Sequence, residues 1–103
     1  MNRKDLKRRG PVTAHTPLDF GGANVFAVQA GVPFSEAMDA MALLLSTADE
    51  TAFVAAKTGD DGDVAGAVWA VEHLLQFARG LNGAMQSGWI EFQRQAAADG
   101  GEA

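Results

Sequence analysis

Apolar residues recur through the second half of the chain in steps of four and three. Val64, Val68, Val71, Leu75, Ala78, Asn82, Met85, Trp89, Phe92 and Ala96 keep phase throughout, with Asn82 the one polar member. This spacing puts them on one stripe of an α-helix and reads as the a/d seam of a helical bundle. It predicts a helix over 63–97 with Asp63 as N-cap, and Leu74 and Leu81 widen the stripe. An earlier stripe, Met38, Met41, Leu45, Ala48, Ala52 and Ala55, predicts a helix over 34–57. Pro33 or Ser35 starts it. Glu36 and Lys57 suit the two ends of its dipole, and Gly59 suits the position just past its end. Gly59-Asp60-Asp61-Gly62 is then a tight turn, which makes the two helices antiparallel neighbours.

Gly80, Gly83 and Gly88 interrupt the second pattern, each at ~1 kcal/mol relative to alanine in a helix. Two readings stay open: one helix through to 97, or a break near Ser87-Gly88 with a short third helix folding back. An unbroken helix would be roughly 52 Å long against roughly 36 Å for the first. Its overhang would carry Trp89, Ile90 and Phe92, which something must cover.

The first quarter of the chain lacks this order. Residues 25–30, Val25-Phe26-Ala27-Val28-Gln29-Ala30, have strand character, but one short strand cannot satisfy its own backbone. It needs a second strand, from another copy of the chain for instance, or must lie extended on the helices. Residues 1–19 contain Gly10, Pro11 and Pro17 and no periodicity, and they read as a disordered arm. Residues 98–103 read as a frayed tail. The expected fold is mainly α: a short extended segment, then a long antiparallel helical hairpin, in one domain over 20–97. A lone hairpin buries one side of each helix, so two copies are expected to close into a dimeric four-helix bundle.

Composition narrows the choice of function. Without cysteine there is no disulfide or thiolate metal site to staple so small a chain. No apolar run approaches the ~20 residues of a membrane span, and the basic start has no apolar stretch behind it. A cytoplasmic protein is expected. Charge is unevenly placed. Arg3, Lys4, Lys7, Arg8 and Arg9 form a basic arm, the one place where nucleic acid is expected to touch, while Lys57, Arg79 and Arg94 face twelve of the thirteen acids.

Candidate chemistry is sparse. Asp61, Asp63 and Glu72 occupy positions 1, 3 and 12 of a calcium-loop pattern with Gly66 at position 6, but Ala65 at position 5 brings no oxygen. The competing reading has Asp63 capping a helix that has already begun. His15 and His73 lack ligand spacing, and no phosphate loop or nucleophile elbow is present. No catalytic residue and no cofactor is expected. Trp69, Phe77 and Trp89 are candidate anchors for a partner or for packing. The expected interface residues are Val68, Val71, Leu75, Asn82, Met85, Trp89 and Phe92.

Three stretches carry a family resemblance: Phe26-Ala27-Val28-Gln29-Ala30-Gly31-Val32-Pro33, Leu44-Leu45, and Ala67-Val68-Trp69-Ala70-Val71-Glu72-His73-Leu74. Over about residues 25–82 the chain resembles a family of small pseudomonad proteins with no assigned activity. The resemblance implies the order helix, turn, helix and transfers no mechanism.

The function expected from the sequence is a non-catalytic protein–protein interaction module, a homodimeric adaptor or regulator. One alternative is a small acidic inhibitor of the phage anti-defence or anti-CRISPR kind, blocking a nucleic-acid-binding surface. The other is a ribbon–helix–helix-like DNA-binding dimer, although its strand would carry no basic side chain.

Overall fold

A computed structural model describes residues 10–20, 22–58 and 61–101. The basic arm of Arg3, Lys4, Lys7, Arg8 and Arg9 and the turn residues Gly59 and Asp60 lie outside the described residues. Strands β1 (Thr16–Phe20) and β2 (Ala23–Val28) are followed by helices α1 (Phe34–Thr58) and α2 (Asp61–Gly101). The helices form an antiparallel hairpin. The sheet packs on α2 through both of its strands.

The start of α1 follows from Pro33. Its carbonyl accepts the first helical bond, from Ala37 N–H at 3.1 Å, which makes Pro33 the N-cap and places Ser35 inside the first turn. Glu36 and Lys57 lie in the first and last turns, as their charges favour. The second helix begins at Asp61 and runs to Gly101 without a break at Ser87-Gly88. Its 41 residues rise about 61 Å, so α2 outruns α1 by about 24 Å.

Two expectations about the amino-terminal quarter are corrected. A disordered arm is expected to reach residue 19, but residues 16–20 form the strand β1. β1 pairs antiparallel with β2, with Thr16 opposite Val28, Pro17 opposite Ala27 and Leu18 opposite Phe26. The second strand therefore comes from the same chain and not from another copy. The extended segment expected at 25–30 is the strand Ala23–Val28. Pro17 marks β1 as an edge strand, where a missing N–H is tolerated.

Thr13 explains why the segment before β1 is ordered. It is 2% exposed. Its N–H donates to Val32 O at 2.9 Å, and its carbonyl accepts from Gly31 N–H at 2.9 Å. Its hydroxyl donates to Gln29 O at 2.6 Å and accepts from Val32 N–H at 3.1 Å. Four hydrogen bonds thus tie residue 13 to the turn before α1. Each is worth ~1 kcal/mol net, and each is more expensive to leave unmade once buried.

This segment crosses α2 where the helix is narrow. Ala14 N–H donates to Ala84 O at 3.0 Å. A Cβ at Gly80 would overlap the Leu18 side chain, and one at Gly88 would overlap the carbonyl of Val12. Gly80, Ala84 and Gly88 therefore form a small-residue track that lets backbone lie against helix. Two of the three glycines that interrupt the sequence pattern, Gly80 and Gly88, are the ones this crossing requires, while Gly83 has open space around its Cβ position. Further along, Phe20 packs on Phe77 at 5.2 Å and on His73 at 5.9 Å between ring centroids, and Phe26 meets Phe77 at 6.2 Å. These rings fasten the hairpin strands to α2.

The interior of this fold is thin. Among the described residues, the buried apolar ones are Leu18, Ala37, Ala48, Ala78 and Ala84, and no large side chain is fully buried. A buried methyl contributes about 0.8 kcal/mol, so such a core gives little margin over the chain entropy that folding must overcome.

Candidate functional site

The seam expected on α2 is displaced by one residue. The less exposed positions include Ala67, Val71, Leu74, Ala78, Leu81, Met85, Gly88 and Phe92, again in steps of four and three, with Leu75, Phe77 and Ala84 also sheltered beside them. On α1 they are Ala37, Met41, Leu44, Ala48, Thr51 and Ala55. Each observed seam lies one step from the expected one and shares every second member with it. Small residues decide the register, because Ala37, Ala48 and Ala78 let the helix axes approach.

The displaced members are left outside. On α2 these are Val64, Val68, Asn82, Trp89 and Ala96, with Leu75 half-buried at their edge; on α1 they are Met38, Leu45 and Ala52. Met38 is 59% exposed, Val68 62% and Trp89 45%. Both helices are offset in the same sense. In an antiparallel pair this puts both flanks on one face of the hairpin, each rotated the same way from the contact line. The sheet occupies the other face, along His73, Phe77, Gly80, Ala84 and Gly88, about half a turn around α2 from the Val68–Leu75–Asn82–Trp89 stripe. The hairpin therefore has a covered face and an open face.

Of the expected interface residues, Val68, Leu75, Asn82 and Trp89 lie on the open face. Val71, Met85 and Phe92 belong to both seams and sit half-buried at its inner edge. Trp89 and Phe92 stack at 5.7 Å. Near the turn between the helices the open face deepens into a groove of ≈310 Å³, walled by Ala52, Ala55, Val64 and Val68 with Glu72 at its rim. A second apolar groove of ≈470 Å³ lies between β2 and α1, lined by Phe26, Val28, Ala40 and Leu44 among others.

The calcium-loop pattern is not a loop. Asp61, Asp63 and Glu72 all lie within α2, which separates the first from the last by about 16 Å of helical rise. No ion with ligands at 2.3–2.6 Å spans that distance. Among the described residues no three His, Asp or Glu side chains gather as a metal site, and no helix is long and apolar enough to cross a membrane.

The overhang of α2 is covered in part by residues the sequence did not offer for the purpose. Val12, Thr13 and Ala14 lie against Gly88, Glu91, Phe92 and Gln95, which leaves Phe92 half-buried while Ile90 remains 55% exposed. A second arrangement the sequence did not single out joins Phe20 to Trp69, Glu72, His73 and Gln76. The spacing of the four helical members was visible in the sequence, but Phe20 reaches them only through the fold.

No family model, curated protein or solved structure matches the chain.

Proposed function

We propose that this chain is a non-catalytic protein–protein interaction module that works as a homodimer, an adaptor or regulator, with two open faces meeting in a four-helix bundle. The open apolar stripe opposite the sheet carries this reading. The exposure of that stripe supports it: Met38, Val68 and Trp89 are large apolar side chains left 59%, 62% and 45% exposed along it. Asn82 falls within the stripe, where a polar residue can fix the register between copies.

Light scattering after gel filtration, at low and high salt, tests the proposal. A mass of twice 10.8 kDa at both salt concentrations supports it, because an apolar interface is little screened. A strict monomer at micromolar concentration rejects it.

The acidic surface favours a second reading, a small inhibitor that occupies a nucleic-acid-binding surface on its target. Asp19, Glu36, Asp39, Asp49, Glu50, Glu72 and Glu91 are all exposed. Binding of that kind weakens steeply with salt and competes with nucleic acid. A salt-insensitive complex excludes it.

A further inference from the structure

Beside the open face, and sharing Glu72 with its groove, one cleft combines aromatic rings with a carboxylate. Phe20 at the end of β1 and Trp69, Glu72, His73 and Gln76 on α2 line a space of ≈370 Å³. The four helical residues stand at i, i+3, i+4 and i+7 and share one side of α2. The strand brings Phe20 alongside. The His73 ring lies between the other two, 5.9 Å from Phe20 at 76° and 6.1 Å from Trp69 at 41°.

Two features of this cleft are unspent. Trp69 is 65% exposed, so the rings beside it leave most of the indole open to solvent. Glu72 accepts one hydrogen bond, from Gln76 Nε2 to Oε1 at 3.5 Å, the limit of such a contact. A carboxylate has about four acceptor sites, and no cationic side chain among the described residues pairs with this one. An aromatic face attracts a cation through its quadrupole, most strongly when the ring is indole. A carboxylate beside it favours a planar group that can donate two parallel bonds.

The geometry points to a guanidinium site: the cleft takes an arginine side chain, stacked on Trp69 and hydrogen-bonded to Glu72. Guanidinium is the cation that both stacks flat and donates in a fork, whereas an ammonium is a compact, strongly hydrated point charge. The acidic surface raises the local concentration of such a group. The site is complete within one chain; Glu72 borders the open-face groove, but its carboxylate belongs to the monomer, and Trp69, His73 and Gln76 lie off the open stripe. The guanidinium site therefore does not need the dimer, and either reading can fail alone.

The test is a titration of the ¹⁵N-labelled full chain with argininamide and, in parallel, with citrullinamide, its neutral isostere. The Trp69 indole resonance, assigned with Trp69→Phe, and the His73 amide report the cleft. The expected result is a saturable shift of both signals in the millimolar range with argininamide and none with citrullinamide. Glu72→Gln, at an exposed position that leaves the fold intact, should weaken binding roughly threefold, as for an exposed ion pair. Equal shifts with citrullinamide overturn the assignment, and so does the absence of a saturable shift. If the cleft serves a partner protein's arginine, argininamide should also displace that protein; free guanidinium ligands acting alone would show the same shifts without such competition.

Discussion

The two faces of α2 differ in how they treat side-chain size. On the covered face, Gly80, Ala84 and Gly88 shrink the helix so that Val12, Ala14 and Leu18 can lie against it. On the open face, Val68 and Trp89 stand out from it, 62% and 45% exposed. The residues under the crossing segment are small, whereas large ones stand along the stripe that the chain leaves open. A helix that was merely surplus to the fold would carry polar residues on its open side. The contrast separates a face covered by the chain's own strands from one that the chain leaves open.

Substitutions can break that comparison from either side. The largest effect belongs to Gly88→Leu, which drives a side chain into the Val12 carbonyl and forces the crossing segment off the helix. Urea unfolding should show a loss of about 3 kcal/mol, at the upper end for overpacking. Thr13→Val keeps shape but removes the hydroxyl that serves Gln29 O and Val32 N–H. Stability should fall by about 2 kcal/mol, the cost of leaving buried backbone groups unpaired. Gly83→Ala should act in the opposite direction. Nothing stands within 4 Å of the Cβ position there, so alanine should raise stability by about 1 kcal/mol through helix propensity alone. Equal effects at Gly83 and Gly88 would remove the distinction between a track the fold requires and a glycine it merely tolerates.

The sequence announced the helices well and the surfaces around them poorly. Periodicity marked both helices within a few residues because their apolar stripes are long and regular. The continuity of α2 was ambiguous because Gly80 and Gly88 weaken a helix locally and are explained by contacts with residues about seventy positions away. β1 was hidden by Pro17 and Asp19, both poor strand formers, and by the absence of alternation in so short a run. Thr13 gave no local sign, since its four bonds all reach the turn at 29–32. The seam register was missed by one step because the stripe is wide enough to hold two overlapping seams. Alanines at 37, 48 and 78 choose between them, and they do so only when the two helices are brought together. The calcium pattern at 61–72 failed for a related reason, since ligand spacing that suits a loop has no meaning inside a helix.

Paired lysine substitutions test most directly whether the open face joins two copies, as proposed. Leu45→Lys with Val68→Lys charges the open face. Leu43→Lys with Val25→Lys charges apolar residues at least as exposed, at 69% and 74% against 45% and 62%, but away from it. The mass of each variant is read by light scattering beside the unaltered chain. The account predicts a dimer for the unaltered chain and for the Leu43/Val25 variant, and a monomer for the Leu45/Val68 variant. A Leu45/Val68 variant that stays dimeric while the Leu43/Val25 variant dissociates would contradict it.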